Sequence, residues 1–214
     1  DRRGRAQTLR LLALCRFERR EWQAAINVLH AARALLDDDD RRSLGIVEHQ
    51  IGLLWLEAGA PVDALEHLLT AYEHRRAVFD EGAAAACLDA MGDVFVRTGR
   101  WHTAVQMLQK ALAHQHRLGD EAGRARTLCN LGQVRLLLGD ATQAAAHAGD
   151  ARQLAQALHL RRLERTATVL AARAALQQED EEHAERLVNA LRRRVEAAED
   201  PFATMEAALL SGRA

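Results

Sequence analysis

The stretch that decides the fold is Met91-Gly92-Asp93-Val94-Phe95-Val96-Arg97-Thr98-Gly99-Arg100-Trp101-His102-Thr103-Ala104. Glycine stands twelve residues before the alanine and again five before it. The same grammar returns around Ala64, with Gly52 and Gly59, and around Ala144, with Gly132 and Gly139. Ala25 and Ala184 extend the series at both ends, so the five alanines stand 39, 40, 40 and 40 residues apart. Leu29, Leu68, Leu108, Ala148 and Val188 follow them by four, and Ala32, Ala71, Ala111, Ala151 and Leu191 by seven. A fixed period of this size is the signature of stacked repeats.

Each period reads as two helices. From Ala83 to Thr98, Cys87, Leu88, Met91, Val94 and Phe95 recur at helical spacing and make one apolar face. Gly99-Arg100 ends that helix, where glycine takes the left-handed cap geometry. A second helix runs from Trp101 to about Leu118 and carries Val105, Leu108, Ala111 and Leu112. The small residues belong where helices cross closely, since a large one there overpacks at a cost of roughly 1–3 kcal/mol. Each pair has an apolar face that it buries only against its neighbour. The expected architecture is all-α: five helix-turn-helix units over about 6–44, 45–84, 85–124, 125–164 and 165–199, stacked as one domain over residues 1–214. Residues 200–214 open with the helix start Asp200-Pro201 and read as a capping helix or as the first half of a sixth unit.

Composition agrees. The 214 residues are 49% hydrophobic and 28% charged, with 2 prolines and 4% aromatics, a mixture that favours packed helix and disfavours strand. The net charge of −1 supplies no global field to hold nucleic acid or an anionic membrane. Lys110 is the one lysine, an arginine bias that fits a GC-rich coding sequence better than phosphate binding. No apolar run is long enough to span a membrane. Cys15, Cys87 and Cys129 are odd in number and far apart, so a reducing, cytoplasmic setting is expected. The chain opens on Asp1 rather than Met, as a piece of a longer protein would.

Catalytic chemistry finds no support. HExxH, the P-loop, the dinucleotide-binding glycines and GxSxG do not occur. His114 and His116 are two apart and diverge on a helix, while His67 and His74 lie two turns apart, roughly 10 Å. Asp37 to Asp40 lacks the glycine and the twelfth-position glutamate of a calcium loop. Cys129 reads as a packing thiol. The expectation is no enzyme, no metal and no cofactor.

Gly52-Leu53-Leu54-Trp55 and Gly92-Asp93-Val94-Phe95, with the alanine of the second helix, resemble the tetratricopeptide repeat. The likeness covers about residues 6 to 197. It departs from the family in its period, 40 rather than 34, and in lacking the terminal proline, which resembles the extended repeats of kinesin light chains and of bacterial multidomain regulators. Arg16, Arg135 and Ala175 replace the aromatic, and Arg20 and Glu179 stand where the inter-helix glycine is expected.

The resemblance implies a right-handed superhelical α-solenoid whose first helices line a concave groove. Carried onto this sequence, the groove positions are Arg10, Leu14 and Phe17; His49, Gln50 and Leu53; Asp89, Asp93 and Arg97; Arg126, Asn130 and Gln133; Val169 and Arg173. Asp89 and Asp93 share a helix face and would suit a basic ligand group, unless Asp93 pairs with Arg97 one turn on. Family members that bind extended peptides use an asparagine at the place of Asn130 to bond the peptide backbone. Trp22 and Trp101 begin second helices and are expected to pack.

The function so implied is a non-catalytic protein-interaction scaffold or sensor module that binds a peptide or helix of a partner, within a bacterial signalling or transcriptional regulator. The alternatives are a receptor for a small molecule or signalling peptide that switches conformation, and a self-association module forming a homo-oligomer. Nucleic acid and membrane are not expected partners of this segment.

Overall fold

The structure, a computed structural model, describes residues 1–196; Asp200-Pro201 and the expected capping helix or sixth unit lie outside them. The described residues form ten α-helices and no strand. The chain divides into two compact units, Asp1–Leu118 and Gly119–Ala214. Unit 1 holds α1 (Arg2–Glu18), α2 (Trp22–Arg33), α3 (Arg41–Glu57), α4 (Pro61–Ala77), α5 (Glu81–Arg97) and α6 (Trp101–Leu118). Unit 2 holds α7 (Glu121–Leu137), α8 (Ala141–Ala157), α9 (Arg161–Gln177) and α10 (Glu181–Glu196).

Local chemistry sets the helix starts. Asp1, Asp40, Asp80 and Asp120 precede α1, α3, α5 and α7, and each carboxylate accepts the backbone N–H of the residue three further on. Such a cap contributes about 1 kcal/mol. The Asp80 cap is why α5 begins at Glu81, two residues ahead of the expected Ala83. α4 starts instead with Pro61 in its first turn, where a missing N–H costs nothing.

The turns inside the pairs take the left-handed geometry, with φ of 81° at Gly59, 73° at Gly99 and 80° at Gly139. Arg20 and Glu179 take it too, at 59° and 62°. The first and last pairs therefore turn like the others despite lacking glycine, with a strained side-chain-bearing residue in its place.

Packing follows the alanine and glycine series. Ala25, Ala64, Ala104 and Ala144 are fully buried, and Ala184 nearly so. A Cβ placed on Gly92 would lie 2.6 Å from Leu108 Cδ2, and one on Gly52 would lie 2.7 Å from Leu68 Cγ. Both leucines are themselves fully buried, so only glycine fits. In unit 1 the first pair and α3 share one cluster of Ala13, Ala25, Ile26, Leu29, Val47, Ile51 and Leu54, with Phe17, Trp22 and Trp55 packed against it. In unit 2, Ala148 of α8, Leu170, Ala171 and Ala172 of α9, and Leu187 and Val188 of α10 form another.

Candidate functional site

The expected groove residues of unit 1 lie on α1, α3 and α5, one repeat apart, and three of their hydrogen bonds cross from one repeat to the next. Arg10 Nε donates to Gln50 Oε1 at 2.8 Å. Burial, and then the positive charge of Arg75, press the Arg10 guanidinium below its ordinary pKa. Arg97, at the C-terminal end of α5, is held three ways. It donates to Leu56 O at 3.2 Å and to Glu57 Oε1 at 3.1 Å, and its Nε lies 3.4 Å from Asp93 Oδ2. The α5 carboxylates thus include an in-helix cation partner one turn away, the simpler of the two arrangements open to Asp93. Burial raises the Asp93 pKa, and Arg97 acts against that rise. Asp89 is buried, while Asp93 and Arg97 keep about two fifths of their side chains exposed. Phe17 is half-buried and meets Trp22 edge-on at 5.3 Å, so its ring is engaged in the core of unit 1. His49 is half-buried, and Leu14 and Leu53 are exposed.

In unit 2 the expected residues stand on α7 and α9. Arg126, Gln133 and Arg173 are exposed, and Asn130 and Val169 are half-buried. Trp22 packs as expected, whereas Trp101 keeps 37% of its surface in solvent.

Unit 1 holds a second polar centre that no sequence motif marks. Glu48 on α3 is 2% exposed, yet it is held between Arg33 of α2, whose Nε donates to Glu48 Oε1, and His67 of α4, whose Nδ1 lies 2.7 Å from Glu48 Oε2. Burial pushes the Glu48 pKa up, but the bonds from His67 and Arg33 outweigh it and hold it below the carboxylate range. The His30 ring lies 5.6 Å from that of His67, and its pKa is lowered by burial and then by His67, with Glu48 opposing. The signal was available by comparing repeats. The position of Glu48 holds Leu9, Leu88, Leu128 and Thr168 in the other periods, so an acid there needs partners.

Among the described residues, no three or more His, Cys, Asp or Glu side chains are grouped to hold a metal ion. Cys87 and Cys129 are buried, and burial pushes the Cys87 thiol up to about 12. The acidic run is partly structural: Asp37 pairs with Arg2, and Asp40 pairs with Arg3 while capping α3. None of the described helices is long and apolar enough to cross a membrane.

Fold and sequence together define a helical-repeat protein. Residues 43–117 match the tetratricopeptide repeat family, and the helical fold of the described residues is similar to that of solved proteins with TPR-like repeats. No curated protein matched the sequence. Solved structures with the same fold include BtubC (BKLC) from P. vanneervenii, 19% identical with a TM-score of 0.81, aligned over 94% of this chain and 83% of that one. Aspartyl phosphate phosphatase F from Bacillus subtilis is 15% identical with a TM-score of 0.85, over 96% of this chain and 54% of its own. A Rap protein complexed with competence and sporulation factor is 13% identical with a TM-score of 0.84, over 96% and 58%. The chain spans little more than half the length of these last two.

Proposed function

We propose that this chain is a non-catalytic protein-interaction module that takes a peptide or helix of a partner on the first-helix faces of its repeats, in the cytoplasm, as the sensor or scaffold segment of a bacterial signalling or transcriptional regulator. The observation that carries the reading is the edge of unit 1 formed by the C-terminal ends of α3 and α5. There Asp93, Arg97 and Glu57 present both charges, partly exposed, over a rigid, closely packed backbone. Such a face recognises a segment of mixed charge by exchanging part of an existing network, without ordering new side chains. Arg10, His49 and Gln50 continue the same face. In unit 2, Arg126, Asn130, Gln133 and Arg173 form a separate candidate face, where the Asn130 amide would both donate to and accept from a partner's backbone. The Rap conjugation gene regulator of the plasmid pLS20, solved in complex with the Phr* peptide, lends support, since a fold of this kind carries a peptide there. Phe17 and Asp89 serve the site from behind, as packing and as a buried polar group.

The test is a crosslinking pull-down from the source cell, with wild-type chain beside an Asp93→Ala/Arg97→Ala variant and, separately, an Asn130→Ala/Gln133→Ala variant. Helicity is matched first by circular dichroism. A partner lost from one variant and kept by the other assigns that face. Unchanged partners in both would end the groove reading and favour self-association, measured directly by light scattering.

A further inference from the structure

The two junctions between successive helix pairs in unit 1 are built from different chemistry. At matching positions the first holds His30 and Arg33 on α2, Glu48 on α3 and His67 on α4. The second holds Leu69 and Tyr72 on α4, Leu88 on α5 and Met107 on α6. Glu48 and Leu88 are both buried, at 2% and 4% exposed. The second set carries no charge. In the first, Glu48 takes one bond from the preceding pair, through Arg33, and one from its own, through His67.

The first junction suits neutral histidines and opposes charged ones. His74, near the C-terminal end of α4, has its Nδ1 buried without a hydrogen-bond partner. An imidazolium donates from both nitrogens, so a protonated His74 would leave a buried N–H unsatisfied. Arg41 of α3 and Arg33 of α2 repel a charge there, while Glu48 and Glu73 attract it. The His30 ring lies 5.6 Å from that of His67, with Arg33 also repelling a charge on it and Glu48 attracting one. Glu48 is already engaged by Arg33 and His67, and Arg75, beside His74 in the chain, is paired with Asp80. The balance, with partial burial as its first cause, lowers the pKa of both His30 and His74. The closed junction is therefore favoured above about pH 6.5 and disfavoured as pH falls toward those depressed values. Glu48 remains a carboxylate through that range, its own pKa being held down by His67 and Arg33 against burial. The second junction reverses the decisive charge. His114, the counterpart of His74, stands 3.9 Å from Glu81, the counterpart of Arg41, so protonation there gains an ion pair.

We propose that mild acid opens the junction between the first two helix pairs of unit 1 and leaves the junction between the second and third closed. In the open form α2 moves off α3 and α4 together with α1. That movement also parts Arg10 from Gln50, whose hydrogen bond bridges the same two pairs two residues along α3 from Glu48. The opening requires no partner and stands apart from the groove reading.

Nitroxide labels read the two junctions separately. Asn27, Glu66 and Gln106 are exposed and stand one period apart on α2, α4 and α6. In a Cys15→Ser chain, where Cys87 and Cys129 are buried, Asn27→Cys/Glu66→Cys spans the first junction and Glu66→Cys/Gln106→Cys the second. Distances are measured by pulsed electron resonance at about pH 7.5 and about pH 5.5, on either side of an ordinary histidine. The first label pair should gain a second, longer distance at the lower pH only, and the second label pair should keep a single distance at both. His30→Gln/His74→Gln, with helicity matched at the higher pH, should abolish the longer distance. Arg41→Glu, which gives His74 the carboxylate that Glu81 offers His114, should move the opening to lower pH. A single distance across the first junction at both pH values, an equal change across both junctions, or an opening that neither variant weakens overturns the proposal.

Discussion

Replacing Phe79 by glycine should stabilise unit 1. Phe79 closes the turn after α4 at φ 57°, in the left-handed region, and is 90% exposed. The geometry costs a side-chain-bearing residue about 1–2 kcal/mol. Its ring packs on almost nothing, so little burial is lost with it. Glycine removes the strain but has more freedom to lose on folding, which returns about 0.5–1 kcal/mol. The net gain for Phe79→Gly is about 0.5–1 kcal/mol. Gly99 is the mirror case, with φ 73° and open space around a placed Cβ, so Gly99→Ala should lose a similar amount through backbone strain alone. Trp22, Trp55 and Trp101 all lie in unit 1, so tryptophan fluorescence during urea unfolding reads that unit without interference from unit 2. The midpoint should rise for Phe79→Gly and fall for Gly99→Ala at unchanged slope. A fall for Phe79→Gly would mean that the exposed ring makes contacts the structure does not contain, and the strain argument would fail.

Two further outcomes can be measured the same way. Gly92→Ala should cost about 1 kcal/mol of stability and lower the midpoint, because overpacking Leu108 outweighs the helix preference of alanine, whereas Gly82→Ala in the same helix, 3.9 Å from Leu118, should not lower it. Acidification from pH 7.5 to 5.5 should also lower the midpoint. His30 and His74 have folded pKa values below the ordinary 6.5, through burial first and then the positive charge of His67 and of Arg41 respectively, so the unfolded chain binds more protons in this range. Their stabilisation is complete above about pH 6.5 and is lost as pH falls toward the depressed values. A His30→Leu/His74→Leu chain should show a flatter profile, and an unchanged slope with pH would count against those positions.

The helix pairs were legible because steric exclusion leaves a periodic trace. Gly52, Gly92 and Gly132 recur wherever a Cβ has no room, and Ala25 to Ala184 recur where second helices bury their contact face. The turns at Arg20 and Glu179 were less legible, since the packed helices on either side impose a left-handed residue that local sequence does not favour. The Glu48 centre was hidden for another reason. Arg33 and His67 approach it from 15 and 19 residues away, a proximity that arises only when α2, α3 and α4 pack together. The candidate groove lay between these extremes. Its positions followed from the resemblance, but the contacts Arg10 to Gln50 and Arg97 to Glu57 depend on side-chain reach between neighbouring repeats.

Arg97 reaches Leu56 across 41 residues, and Arg10 reaches Gln50 across 40, about one period in each case. Loops of that length close cheaply, since entropy grows only with the logarithm of the span. A chain tied by such short-range links has low contact order, which favours fast assembly from any point along it. It also melts by stages: an end pair can open while interior pairs keep their neighbours, as in a row of coupled dominoes. Amide exchange should therefore grade along unit 1, and a partner gripping two adjacent repeats would act as a clamp on that opening as well as a ligand.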